Sequence, residues 1–413
     1  MPSESITADC CIAGGGPAGI MLGLLLARVG VKVTVLEKHA DFLRDFRGDT
    51  LHPSTLELMH ELGLLEEFLK RPHQQLSQIA AQIGDQLVTV ADFSHLPVRC
   101  KFVGLMPQWD FLNFLVEHAK GYPTFDLRMQ AEVDELVEEN GRIIGVHAKT
   151  PRGDLRIIAP LTVGADGRGS VVRARARLEV IDIGAPMDVL WMRISKKSDD
   201  PPQTLGRVVA NKILIMLDRG DYWQCAYLIP KGGLDDLKQR GLAAFQNDLA
   251  AIAPFIRDRV SELNDWNDIK LLTVRVDHLR EWCRPGLLCI GDAAHAMSPI
   301  GGIGINLAIQ DAVAAANMLG RPLLGRQLTT ADLRAVQLRR EVPTRLTQKL
   351  QVFLQDRVIL RVLANKPQTR FSKLPLPLRL LRGFPFLRRI PARIIGLGFR
   401  PEHIARWIRN KNQ

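Results

Sequence analysis

Cys10-Cys11-Ile12-Ala13-Gly14-Gly15-Gly16-Pro17-Ala18-Gly19, followed by a leucine-rich run to Val29 and then by Val31-Lys32-Val33-Thr34-Val35-Leu36-Glu37-Lys38, decides how the rest of the chain is read. It reads as a short apolar strand, a glycine turn, an apolar helix and a second strand ending in a carboxylate. Gly14, Gly16 and Gly19 have the G-x-G-x-x-G spacing of a dinucleotide site. The first glycine allows the tight turn, the second lets backbone approach a pyrophosphate, and the third lets helix pack on strand. The pyrophosphate is then expected on the N–H groups of Ala18 and its neighbours, beyond Pro17, where the helix dipole favours negative charge. Glu37 lies 18 residues beyond Gly19, about where a carboxylate for the adenosine ribose is expected. A glycine turn alone is weak evidence. Here strand, helix, second strand and acid all fall in place within the first 37 residues.

Around this unit, 413 residues leave room for two domains or one large domain with an insertion. The balance of 46% hydrophobic and 24% charged residues is that of a globular enzyme. No apolar run approaches the ~20 residues needed to span a bilayer. The first apolar run is broken by the glycine turn, so no secretory leader is expected and the compartment is expected to be cytoplasmic. Six cysteines form no C-x-x-C pair and no metal-ligand spacing, and are expected as small buried hydrophobes. The net charge of +11 is local: residues 366–413 hold twelve Lys or Arg and one acid, Glu402, and the remaining 365 residues sum to zero. A neutral body with a basic tail excludes a generic nucleic-acid binder and points to something more local.

In chain order, Arg47 falls in a polar loop after the nucleotide unit, where a guanidinium could meet phosphate or ribityl oxygens. Short strands are expected over 78–103, then a helix opened by Gln108. Asn140-Gly141 signals a hairpin between strands at 132–137 and 142–148. Leu161–Gly164 reads as a strand ending in Ala165-Asp166-Gly167, with Ser170 as a helix cap. Asp166 reads equally as a ligand contact at a strand end and as a turn aspartate bonding nearby backbone. Residues 186–275 read as a mostly β insertion roofing a pocket, with Trp191, Met192, Met216, Trp223 and Tyr227 as candidate walls, each weighed against a plain core role. A third strand ends at Gly291-Asp292, and the glycine turn Gly301-Gly302-Ile303-Gly304 precedes a helix over 305–319. Its unpaired N–H groups suit an anion or a ring carbonyl that gains charge on reduction. His295 reads as a packed histidine before it reads as a base. From Thr330 to Leu363 a helix with an amphipathic Leu/Val stripe is expected, and then the basic tail.

With three strand-end motifs in this order and at roughly these spacings, the chain resembles the para-hydroxybenzoate hydroxylase-like, FAD-dependent monooxygenases over about residues 6–320. Ala165 stands where that family usually has a glycine, and Ile303 where many relatives have a glutamine. The resemblance implies an α/β fold: a Rossmann-like FAD-binding domain (1–75, 106–180 and 277–325), an inserted mostly β substrate domain (76–105 and 181–276) and a C-terminal helical region with the basic tail (326–413). It implies that Gly14, Gly16, Pro17, Ala18, Gly19, Glu37 and Lys38 hold the ADP half of FAD. Arg47 looks like the family's loop arginine and Gln108 like its ribityl-contacting glutamine. Gly291 and Asp292 would meet the ribityl chain, and Asp166 would help seat the cofactor and NADPH or NADH. Pro299, Gly304, Ile305 and Asn306 would lie along the isoalloxazine, making Pro299 and Gly304 the flavin-ring environment. No side-chain base is assigned, and no metal.

The implied reaction is NAD(P)H-dependent hydroxylation of an aromatic, polyketide-like or other lipophilic small molecule by O2, through a flavin C4a-hydroperoxide. Two further readings stand beside it: a flavin reductase of isoprenoid double bonds, and a non-catalytic redox-sensing flavoprotein. A monomer or homodimer is expected, with no nucleic-acid partner. The tail reads first as a helical lid packed on the body, its arginines solvated or snorkelling. Its second reading is peripheral contact with the inner face of an anionic membrane.

Overall fold

The computed structural model describes residues 4–43, 50–201, 205–209, 211–364 and 374–410. At its centre is a six-stranded sheet in the order Cys283–Arg284, Leu287–Cys289, Leu161–Gly164, Cys10–Ala13, Val33–Glu37, Phe125–Met129. All neighbours run parallel except the first pair. Cys10–Ala13, Val33–Glu37 and Leu161–Gly164 are buried at every position, as parallel strands covered on both faces must be. Helices Pro17–Arg28, Gln108–Ala119 and Ile303–Leu324 pack over this sheet, and their leucines, alanines and phenylalanines form one continuous core with it. The α/β fold with its Rossmann-like unit is therefore the one expected. All six cysteines are buried and unpaired, and burial alone pushes the Cys11 thiol up to about 12.

A second, four-stranded sheet (Glu4–Thr7, Gly153–Ile158, Arg142–Thr150, Glu132–Glu139) carries the expected hairpin. Asn140 and Gly141 both take positive φ, 51° and 75°, as a tight two-residue turn requires.

The third large sheet has seven strands in the order Lys270–Leu272, Met187–Ser195, Tyr222–Pro230, Lys212–Asp218, Leu205–Val209, Gln78–Ile83, Gln86–Asp92. Two chain stretches far apart in sequence build it, joined where Gly206–Val208 pairs in parallel with Ala81–Ile83. Side chains alternate across it. Leu190, Met192, Leu214, Met216, Trp223, Cys225 and Tyr227 point outward into a cluster with Phe245, Leu249 and Ile252 of the helix Leu242–Ile252. Val189, Trp191, Ile213, Ile215, Ala226 and Leu228 point inward and share a cluster with Val276 and Ile300.

Two expectations are corrected here. Met216, Trp223 and Tyr227 are core residues of the outer face, not pocket walls. Tyr227 packs edge-to-face on Phe245 with ring centroids 5.2 Å apart, and the Trp223 Nε1–H donates to Asp200 at 2.8 Å. Met192 lies in the same outer cluster, so of the five candidate wall residues only Trp191 faces inward. The helix Thr330–Leu354 buries Leu333 and Val336 as expected, but the rest of its apolar stripe faces out: Leu338, Val342, Leu346 and Phe353 are 64%, 59%, 42% and 57% exposed. Beyond Val336 its buried face is largely polar, built from Gln337, Arg340, Thr344, Thr347, Gln348 and Gln351 with Pro343 among them.

No helix among the described residues is long and apolar enough to cross a membrane. The end of the chain straps onto the body. Arg28 donates to the carbonyls of Ile408 and Arg409, at 3.0 and 2.9 Å, and Ile404 and Ile408 are fully buried.

Candidate active site

The cradle for a nucleotide is built at the carboxyl ends of the three central strands. Gly14 has φ of +110°, and a Cβ there would lie 2.3 Å from the Ala165 carbonyl oxygen; a Cβ on Gly19 would lie 1.9 Å from the Gly14 oxygen. Only hydrogen fits at either position. Gly16 differs, because a Cβ there would meet nothing within 4 Å. That open side adjoins the start of the helix Pro17–Arg28, which has no side-chain cap and no acid in its first turn. Pro17 at the first position has no N–H to satisfy, so the unpaired donors begin at Ala18. A pyrophosphate fits this geometry: open space, free N–H groups and a positive helix end.

Glu37 is held in place at the end of its strand. Its carboxylate accepts from the Gly15 N–H and the His39 N–H, both at 3.0 Å, and is 8% exposed. Lys38, the next residue, is exposed. Arg47 lies outside the described residues. Gln108 is the first residue of its helix and half-buried, with Pro107 as the cap position.

Asp166 takes the turn role. It accepts from Ser170 Oγ at 2.5 Å and from the Val172 N–H at 3.1 Å, while Ser170 caps the helix Val171–Arg175. Burial, opposed by these hydrogen bonds, raises its pKa above the usual carboxylate value. Its carboxylate shapes the loop 166–170 and stays partly exposed there. That loop also presents Arg168, which the sequence reading passed over. Arg168 Nε donates to Asp292 at 3.1 Å, and its Nη1 is buried without a hydrogen-bond partner among the described residues. An orphaned guanidinium donor beside the third strand end is what an incoming phosphate or hydroxyl would satisfy. The signal was present in Asp166-Gly167-Arg168-Gly169: a cation between two glycines at a strand end.

Gly291 and Asp292 close the third strand. The Gly291 N–H donates to Asp311 at 3.0 Å, and Asp292 stays about a third exposed, facing Arg168. Behind the turn sits a buried ion network. Asp311 bonds His295 Nε2 at 2.5 Å and Arg340 Nε at 2.9 Å, and Arg340 also donates to Glu402 at 3.2 Å. Burial raises the Asp311 pKa, but His295 and Arg340 outweigh it and hold the carboxyl below its ordinary value. His295 is 1% exposed and packs on Trp282 with ring centroids 4.9 Å apart, so it is a structural residue. Asp311 and Arg340 were missed, although a lone Asp inside Leu307-Ala308-Ile309-Gln310-Asp311-Ala312-Val313 must have a buried partner.

The glycine turn before the long helix has the features sought. Gly301 and Gly302 both have positive φ, 76° and 62°, and a Cβ on Gly302 would collide with Thr50 Oγ1 at 2.0 Å. The helix starts two residues earlier than expected, at Ile303, without a side-chain cap or a first-turn acid. The N–H groups of Ile303, Gly304 and Ile305 are therefore available. Pro299 and Gly304 are half-buried at this turn, and Ile305 is buried beneath it. The Asn306 side chain is fully used: Oδ1 accepts from the His52 N–H (2.8 Å) and Thr55 Oγ1 (2.7 Å), and Nδ2 donates to the carbonyls of Thr50 (2.9 Å) and Gly302 (3.1 Å). Asn306 thus clamps the loop 50–55 to the turn. A ladder of buried glutamines holds the approach: Gln348 donates to Asp277 and Ala296 carbonyls, Gln351 to those of Ser298 and Ile300, and Gln355 to Ser298 Oγ.

His52 extends this clamp to the tail, with Nδ1 2.7 Å from the Ile395 carbonyl oxygen. Burial lowers its pKa to about 4. The unfolded chain takes up a proton near the ordinary value of about 6.5 while the folded chain does not, so this contribution to stability is complete above that value and is lost as pH falls toward 4. Wild type is expected to lose about 2 kcal/mol more than His52→Asn between pH 7 and pH 5, measured by urea denaturation. Parallel losses in the two proteins would refute this.

Residues 7–349 match the family model described as an FAD binding domain. The chain is 35% identical over 365 residues to 6-methylpretetramide 4-monooxygenase of Streptomyces rimosus, an alignment covering 87% of this chain and 86% of that one. In fold it is similar to a probable FAD-dependent monooxygenase of Pseudomonas aeruginosa, with a TM-score of 0.73, 22% identity and coverage of 87% and 99% of the two chains. It is also similar to p-nitrophenol 4-monooxygenase of Pseudomonas putida, with a TM-score of 0.72, 20% identity and coverage of 96% and 100%. A chain with this cradle, this second glycine turn and these relatives belongs to the para-hydroxybenzoate hydroxylase-like, FAD-dependent monooxygenases.

Proposed function

We propose that this monooxygenase hydroxylates a lipophilic aromatic molecule of polyketide type, with NADPH or NADH as electron donor. The observation that carries the reading is where the apolar inner face of the seven-stranded sheet lies. Trp191, Ile215 and Leu272 share one cluster with Ile300, which adjoins the uncapped glycine turn. A flat apolar molecule between sheet and turn would be held by area alone, at roughly 25 cal/mol per Å2 buried. The relative that acts on 6-methylpretetramide supports the polyketide class.

When bound, FAD supplies the redox chemistry, taking two electrons from the nicotinamide and activating O2. In sum, substrate, O2, NAD(P)H and a proton give hydroxylated substrate, water and NAD(P)+. In this reading Gly14, Gly16 and Gly19 with the Ala18 N–H hold the pyrophosphate, and Glu37 accepts from the ribose. Asp292, Arg168 and Gln108 meet the ribityl and phosphate oxygens. The N–H groups at Ile303, Gly304 and Ile305 would stabilise negative charge on a bound flavin ring, a fixed-dipole stabilisation needing no side-chain acid. Pro299 and Asn306 hold that turn in shape. The sheet excludes water from the reacting face.

The test is a panel of tetracyclic polyketides, simple phenols and isoprenoids, assayed for faster NAD(P)H oxidation. Stimulation by the polyketides, with product heavier by one oxygen, is the expected result. Stimulation by isoprenoids with a product gaining two hydrogens would overturn it.

A further inference from the structure

Among its described residues the basic tail presents an exposed surface that is both apolar and basic. Helices Leu376–Gly383 and Arg389–Gly396 each hold the body by one face. In the first, Leu378 and Leu381 turn inward; in the second, Ala392 is fully buried and a Cβ on Gly396 would lie 2.8 Å from Leu96. The opposite faces carry large apolar groups into solvent: Leu376, Leu380, Phe384, Phe386 and Ile390 are 64%, 41%, 51%, 61% and 59% exposed. Phe384 and Phe386 flank Pro385 in the turn between the helices, and their rings pack on each other, centroids 6.1 Å apart. Arg379 and Arg393 are exposed beside them, as are Arg382, which also donates to Gln86 Oε1 at 2.6 Å, and Arg389, whose Nη2 lies 3.4 Å from His95 Nε2. Arg388 instead folds back, donating to the Leu381 carbonyl at 2.9 Å and closing the turn.

Two features decide what covers this surface. Between Lys366 and Pro401 there is no Asp or Glu. A two-fold contact with a second copy would set these arginines against their own images with no acid to offset them. Nucleic acid would match the arginines and leave five large apolar side chains in water. An anionic bilayer matches both halves: headgroups for the arginines and the acyl boundary for an aromatic tip between two amphipathic helices.

We infer that the surface formed by Leu376, Leu380, Phe384, Phe386 and Ile390 with Arg379, Arg382, Arg389 and Arg393 docks the enzyme on an anionic lipid bilayer. This does not rest on the substrate assignment. The test is sedimentation of the flavin-loaded enzyme with vesicles of phosphatidylcholine alone or mixed with phosphatidylserine, at low and high salt. Pelleting is expected with phosphatidylserine, much less with phosphatidylcholine alone, and is expected to fall as salt rises. Each Arg→Gln change at 379, 382, 389 or 393 should lower the partition roughly fivefold. The pair Phe384→Ser and Phe386→Ser should weaken it at any salt, with flavin content and NAD(P)H oxidation unchanged as the check on folding. Equal pelleting with both vesicle types, no pelleting of wild type, or dimerisation abolished by the Phe pair without vesicle binding would each overturn the proposal. The salt series on wild type alone decides the case if a variant misfolds.

Discussion

Replacement of Arg340 by methionine is expected to destabilise the folded protein by about 3–5 kcal/mol, the cost of leaving buried charge without its partner. Arg340 is 1% exposed and bridges Asp311, which is 0% exposed, to Glu402, which is 5% exposed. Asp311 keeps His295 and the Gly291 N–H, and Glu402 keeps the half-buried Arg339, so the loss is partial on each side. Because Asp311 positions the Gly291-Asp292 turn, FAD affinity is expected to fall along with stability. The double change Arg340→Met with Asp311→Asn should cost less than the two singles summed, since it removes opposite charges together. Urea denaturation of the four proteins measures this. A single-variant cost below about 1 kcal/mol would mean that the network is solvated and contributes little.

The second large effect separates fold from cofactor. Gly16→Ala is expected to leave the apoprotein within about 1 kcal/mol of wild type, because Gly16 has φ of −76° and a Cβ there meets no atom. FAD affinity should nonetheless fall roughly ten- to a hundredfold, as for any methyl forced into a packed contact, because the new methyl occupies the side from which the pyrophosphate approaches. Gly14→Ala should do the reverse and damage the fold itself, since its φ of +110° and the Ala165 carbonyl leave no room. Titration of FAD into each apoprotein, with fluorescence quenching as readout, distinguishes the two. Unchanged affinity in Gly16→Ala would remove the pyrophosphate from this turn.

The parts of the fold legible in the sequence are those fixed by local pattern. The strand, glycine turn, helix and acid of residues 10–37 each constrain their neighbours, and the two later strand ends repeat the constraint. What the sequence could not give is direction. In the seven-stranded sheet both faces are apolar, so alternation separates Trp191 from Met192 without saying which meets the site. In the helix Thr330–Leu354, periodicity shows two faces, and the usual rule turns Leu338, Val342 and Leu346 inward. The structure buries Gln348 and Gln351 on the face that also holds Leu333 and Val336, and their side chains donate to the backbone carbonyls of Asp277, Ala296, Ser298 and Ile300. Asp166 was readable two ways, and only the geometry of Ser170 and Val172 chose the turn.

The most direct test of the account is a turnover under heavy-isotope oxygen gas, with purified FAD-loaded enzyme, NAD(P)H and the polyketide that most accelerates nicotinamide oxidation. The account predicts a product carrying one oxygen atom derived from the gas, formed in step with NAD(P)H consumed. Label absent from the product, or all O2 recovered as hydrogen peroxide with every substrate, would contradict it.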